Sequence, residues 1–252
     1  QKIFDEKVDI PAPSTLNLGR AGVALIYDSS IFGGNGPVLG QRYRLDVSPA
    51  IGSIQIYNFT FDYRKYIMPV FPFTVAFRGM TTGRYGKDAD DPRLSQIYVG
   101  WSSLVRGYDT GSFNVNECTF PDFQPGEINA CTEIDDLLGS KVAVFNLEPR
   151  LPLLGPLGVL GRGAFPPLDL IAFFDAGVAW TNDLKPSFFG CETEFDASGR
   201  PVSGCSRDFN TSVGFGLRLN LFGLILLEGD IVNPLQRPDK SWFFQFVFNG
   251  GF

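Results

Sequence analysis

The chain has 252 residues, 44% of them hydrophobic and 14% aromatic, yet it contains no uninterrupted apolar run of the roughly 18 residues that a membrane helix needs. A net charge of −6 offers no basic surface for nucleic acid, and the absence of His removes the commonest general base and the commonest zinc ligand. Hydrophobicity comes instead in short bursts, separated by many of the 29 Gly and 18 Pro, which is the profile of many short strands.

In chain order, residues 1–7 lack the basic-then-apolar pattern of a signal peptide. If the protein is exported, its targeting segment lies upstream; the chain reads as part of a longer one, with residues 1–18 an extracellular loop or preceding segment. From there on the bursts alternate with a period of two, as strands do. Residues 22–28 form a weak first case. Tyr43, Leu45 and Val47 alternate with Arg42, Arg44, Asp46 and Ser48. Tyr57, Phe59, Phe61 and Tyr63 alternate with Asn58, Thr60, Asp62 and Arg64. Phe71, Phe73, Val75 and Phe77 alternate with Pro72, Thr74, Ala76 and Arg78. Ala143, Phe145 and Leu147 alternate with Val144, Asn146 and Glu148. Residues 168–180 are weaker. Val213, Phe215, Leu217, Leu219 and Leu221 alternate with Gly214, Gly216, Arg218 and Asn220, and 224–231 is weaker again. In the last segment, 242–252, Trp242, Phe244, Phe246, Phe248 and Phe252 share one parity, with Phe243 and Val247 as exceptions on the other. These are nine candidate strands.

The polar parity carries Arg, Asp, Glu and many small residues, and the apolar parity carries Phe and Tyr at its ends. A lipid-facing antiparallel β-barrel needs this arrangement; a soluble sandwich or propeller is the alternative reading of the same alternation. Short or Pro/Gly-rich connections (67–70, 152–167, 222–223) trade off with long polar ones (86–140, 181–208, 233–240), as periplasmic turns do with extracellular loops. Residues 29–40 read as a longer turn and 49–53 as a short outer loop. The four cysteines form two local pairs, Cys118–Cys131 and Cys191–Cys205, inside long loops. Two disulfides in an oxidising compartment fit them, with free thiols in a reduced cell as the alternative. A bacterial single-chain barrel usually has an even strand count, so nine implies a missing strand.

Three motifs stand in order: Val105-Arg106-Gly107-Tyr108 in the longest loop, Asn146-Leu147-Glu148 on the next strand, and Phe173-Phe174-Asp175-Ala176-Gly177 on the one after. With the aromatic C-terminus, and the Gly36–Gly40 turn after Tyr27-Asp28, they make residues 21–252 resemble the BamA/TamA-like outer-membrane assembly barrel superfamily, the bacterial surface antigen family. The resemblance implies a sixteen-stranded barrel of which this chain supplies the C-terminal nine strands, with periplasmic domains upstream. It implies that the Arg106 loop folds back into the lumen toward Glu148, Asp175 and Gly177. It also implies that the aromatic last strand is an assembly signal and closes a weak seam with the first strand. Implied partners are outer-membrane lipid including lipopolysaccharide, client polypeptides, and accessory outer-membrane or periplasmic proteins, with no cofactor and no metal.

Strand parity alone makes the loop contact geometrically possible. Asp175 shares a face with Phe173 and Gly177, and Glu148 shares one with Asn146 and Arg150, on neighbouring strands. A guanidinium arriving there can bind a carboxylate in bidentate fashion; otherwise Arg106 is one of several solvated loop charges beside Arg93 and Asp109. Enzyme readings fare badly, since Ser102 and Ser103 have no His partner, and the acidic runs 88–91 and 192–194 lack calcium-loop spacing. The function expected is an assembly or translocation barrel. A passive porin-like channel and a membrane anchor for an upstream enzymatic or binding domain are the alternatives.

Overall fold

A computed structural model describes residues 14–114, 117, 132–196, 201–237 and 239–248. Cys118, Cys131 and Phe252 lie outside the described residues, as do the last three residues before Phe252. The strands run in chain order as β1 (Leu18–Arg20), β2 (Val23–Asp28), β3 (Ile31–Phe32), β4 (Pro37–Gly52), β5 (Gln55–Val70), β6 (Phe73–Tyr85), β7 (Ile97–Tyr98), β8 (Leu138–Gly139) and β9 (Lys141–Gly155). They continue as β10 (Gly161–Arg162), β11 (Leu168–Trp180), β12 (Leu184–Pro186), β13 (Glu194–Phe195), β14 (Pro201–Arg207), β15 (Asn210–Leu221), β16 (Ile225–Pro234) and β17 (Phe243–Phe248). One helical turn, α1 (Thr132–Asp135), precedes β8.

The main sheet is an antiparallel meander, β1-β4-β5-β6-β9-β11-β15-β16-β17, with β2 and β3 also on the free side of β4. Among the described residues it is nine positions across, because β1 and β2 are one strand interrupted at Ala21–Gly22. The interruption lies where Pro49 sits on β4 between the pairs Arg20↔Ala50 and Val23↔Val47; proline has no N–H to give the ladder. The 49–53 loop read from that proline is mostly ladder instead: β4 runs on to Gly52, Pro49 is paired to Tyr57, and the corner is only Ser53-Ile54.

Other boundaries also differ from the sequence reading. The 29–40 turn is mostly ladder, with Ile31 opposite Leu39 and the reversal confined to Gly33–Gly36, closed by a 2.7 Å hydrogen bond from Gly33 N–H to Gly36 carbonyl. Gly40 has φ +104°, and a Cβ there would lie 2.3 Å from the Ser29 carbonyl, so only glycine turns the chain into this hairpin. Phe71-Pro72 forms the turn before β6 rather than its first residues, Leu18 belongs to β1, and Asn233-Pro234 end β16.

One face of the sheet is apolar and open. Across it run the rows Ala172↔Phe215↔Ile231↔Phe244 and Leu170↔Leu217↔Gly229↔Phe246, with Phe215, Ile231, Phe244 and Phe246 exposed. Contiguous rows of exposed apolar side chains are what a water-soluble monomer avoids, and they match the lipid-facing side of a membrane barrel. The other face is buried and rich in charge: Arg64, Arg78, Asn146, Glu148, Arg150, Asp175, Arg218, Glu228 and Asp230 all lie on it. The two exceptions in the last strand belong to this face. Val247 is buried, and the Phe243 ring lies beneath Lys240 Nζ at 4.7 Å.

Candidate functional site

The long connection between β6 and β9 folds over the charged face. Its own strands β7 and β8 pair with each other. Tyr98, Val99, Val105, Tyr108 and Leu137 join Val142, Val144 and Ala179 of the sheet in one hydrophobic cluster. Gly177 sets how close the loop comes, since a Cβ there would lie 2.5 Å from Val105 and 2.8 Å from Val99. At the tip, Gly107 has φ +87° and packs against Val232, and it is held from both sides. Its N–H donates to Gln245 Oε1 at 2.9 Å, and its carbonyl accepts from Arg237 Nη1 at 2.7 Å. The Tyr98 hydroxyl donates to the Tyr108 carbonyl, and the Tyr108 hydroxyl donates to the Thr211 carbonyl at 2.9 Å. Burial pushes the Tyr108 phenol up to about 12.

Arg106 is 5% exposed and uses its whole fork. Nε donates to Asp175 Oδ2 at 2.7 Å and Nη2 to Asp175 Oδ1 at 3.0 Å, a bidentate pair. Nη1 reaches Glu148 Oε2 and Glu228 Oε1, both at 3.0 Å. The guanidinium lies 3.6 Å above the centroid of Phe173, and Phe173 can lie flat because Gly214 beside it has no Cβ; one there would be 2.3 Å from the ring. Asn146 Nδ2 ties the loop backbone to the same acid, donating to the Leu104 carbonyl at 2.7 Å and to Asp175 Oδ1 at 2.8 Å. The space left among Ser103, Arg106, Asn146, Glu148, Arg218 and Val247 is about 10 Å³, room for about one water.

The carboxylates have further partners. Arg218 Nη1 and Nη2 donate to both oxygens of Glu148 at 2.8 and 3.1 Å, and its Nε donates to Glu228 Oε2 at 2.6 Å. Arg150 Nε donates to Glu148 Oε1 at 2.7 Å, while its Nη1 donates to the Pro37 carbonyl at 3.1 Å. Through Arg150 the cluster thus also holds the Gly33–Gly36 turn, which enters from the opposite end of the sheet. Asn220 Nδ2 grips that turn a second time, at the Gly34 carbonyl, at 2.8 Å. The cluster joins segments from both ends of the sheet around Glu148.

The structure brings Val105, Arg106, Gly107, Tyr108, Glu148, Asp175 and Gly177 to one place. Phe244, Phe246 and Phe248 stand on the apolar face, and Trp242, just before β17, packs on Phe215 with centroids 6.0 Å apart. The Cys191–Cys205 disulfide is formed, Cα atoms 5.2 Å apart. Arg218, Glu228, Gln245 and Arg237, which pairs with Glu117 at 2.7 Å, belong to the site without having been singled out from the sequence. Glu228 had a signal: with Asp230 it puts two carboxylates on one parity of an otherwise apolar strand, flanking Gly229. Among the described residues no group of acids or cysteines is arranged to hold a metal.

Residues 24–252 match the Omp85 superfamily domain. No curated protein matches the chain. The chain therefore belongs to the Omp85 superfamily, a family of outer-membrane β-barrels, and its apolar face is the one turned to lipid.

Proposed function

We propose that this domain inserts or translocates polypeptides at the outer membrane, and that the Arg106 loop is a plug held across the barrel interior while no client is engaged. The observation that carries this reading is the use made of Arg106. A loop arginine bonded to three buried carboxylates on β9, β11 and β16 fixes a long segment across the charged face. A passive pore would leave that face to water. Clients and accessory proteins are the partners of this activity, and it proceeds by binding and strand exposure rather than by bond chemistry.

The test uses the full-length protein in phospholipid vesicles, with a urea-unfolded outer-membrane barrel as client. Folding of the client to a protease-resistant form should accelerate over the protein-free rate, and vesicles carrying Arg106→Ala should leak a small entrapped dye that wild-type vesicles retain in the absence of client. Equal client folding with and without the protein contradicts the assembly reading. Equal dye retention by the wild type and Arg106→Ala contradicts the role given to the loop.

A further inference from the structure

The connection between β11 and β15 carries an aromatic surface that the charged cluster does not use. Phe188 and Phe189 sit on the one-turn segment Ser187–Phe189 with ring centroids 4.4 Å apart, and Phe188 stacks on Phe209 at 5.7 Å. All three are open to the surroundings, at 62%, 63% and 41% exposure. The arrangement is built rather than incidental. Ser187 Oγ donates to Asp208 Oδ1 at 2.5 Å, the Cys191–Cys205 disulfide closes the segment behind the turn, and Gly190 ends the turn at φ +68°.

Its place in the fold decides what it meets. Phe209 immediately precedes β15 and falls on the same alternate positions as Val213, Phe215 and Leu217, the lipid-facing positions of that strand. Farther along that face, Trp242 packs on Phe215. The aromatic surface therefore continues the outer face of the sheet past the strand end, and does not turn over the mouth.

Height agrees with this. A strand rises about 3.4 Å per residue, tilted about 40°, so the chain between Phe209 and Phe222 covers roughly 34 Å along the membrane normal. Phe222, at the far end of β15, is exposed and packs on Phe165 at 5.3 Å. Given a hydrocarbon layer of about 30 Å, the two aromatic groups lie at opposite interfaces.

We propose that Phe188, Phe189 and Phe209 form a collar seated in the outer leaflet at the boundary of headgroups and acyl chains, so that the 181–208 loop rests on lipid. Lipid is the occupant because the surface is continuous with a face already turned to lipid. The inference rests on the membrane location alone and is independent of the Arg106 reading.

The test places a nitroxide at Phe188→Cys, and separately at Phe189→Cys, in the full-length protein reconstituted in phosphatidylcholine vesicles. Asp183→Cys, an exposed position of the same loop, is the aqueous reference. Collision with a water-soluble nickel chelate should be several-fold lower at both aromatic positions than at Asp183→Cys, and collision with oxygen higher. Nickel accessibility equal to the reference at both positions, with no protein but this one present, overturns the proposal and leaves the surface to a protein partner or a second copy.

Discussion

Replacing Arg106 with Ala removes a bidentate pair to Asp175, single bonds to Glu148 and Glu228, and a cation–π contact on Phe173. The three acids do not suffer equally. Glu148 keeps Arg150 and Arg218, and Glu228 keeps Arg218. Asp175, fully buried, keeps the amide of Asn146 and loses its guanidinium. The cost is set by that one carboxylate left without a counter-charge, about 3–5 kcal/mol for breaking a buried pair from one side. It falls on docking of the loop tip, whose local opening should become roughly two to three and a half orders of magnitude more frequent. Hydrogen exchange of residues 99–108 in the folded barrel reads this directly, with strands β9 and β11 as internal references. Asp175→Asn should cost less, because Arg106 then retains Glu148 and Glu228, and the double variant should lose less than the two single losses added together. Exchange of 99–108 unchanged in Arg106→Ala, or strict additivity in the double variant, would mean that the Arg106–Asp175 pair does not hold the loop tip.

Gly177→Val sets a side chain against Val99 and Val105 and should expel the loop tip without unfolding the sheet, seen as new protease cleavage near 105 with unchanged heat-dependent gel mobility. Gly216→Ala puts a Cβ 2.0 Å from Asp230 Oδ1 and 2.6 Å from the Gly229 carbonyl. Here backbone is in the way, so β15 and β16 must separate; about 1–3 kcal/mol is lost and the barrel opens at a lower temperature on the same gel. Tyr108 titrates at about 12 in the docked loop against about 10 when free. Docking keeps its full strength below pH 10 and loses it as pH rises toward 12, so protection of 99–108, taken relative to the intrinsic exchange rate at each pH, should fall across that window more steeply in the wild type than in Tyr108→Phe. Breaking Cys191–Cys205 as the double Ser variant should loosen β12–β14 by about 3 kcal/mol and leave the main sheet unchanged, measured as proteolysis confined to 184–207.

The nine strand positions were readable because each strand separates lipid from a charged interior, which stamps a period of two on the chain. Element ends were less readable. Pro49 and the glycines at 33, 34 and 36 look like turn residues, yet Pro49 is accommodated opposite an interruption of the neighbouring strand, and the glycines make a turn far tighter than their number suggests. In the site, motif order and parity pointed to Arg106, Glu148 and Asp175. Arg218 and Glu228 were harder, because an inward arginine on one strand and an inward glutamate on the next are ordinary lumen charges until the register Arg218↔Glu228 is known. Arg237 and Glu117 are separated by a long stretch of chain, and no local pattern links them. Val247 and Phe243 broke the alternation for a physical reason: Val247 faces the docked loop and Phe243 lies under Arg237 and Lys240, so apolar side chains suit both.

A plug must obstruct the interior, and the Arg106 loop is the segment placed to do so. Conductance of the full-length protein in a planar bilayer measures this directly. Small, flickering currents in the wild type, giving way to large and long-lived openings in Arg106→Ala, are the predicted result. A large steady pore in the wild type, unchanged by Arg106→Ala, would contradict it.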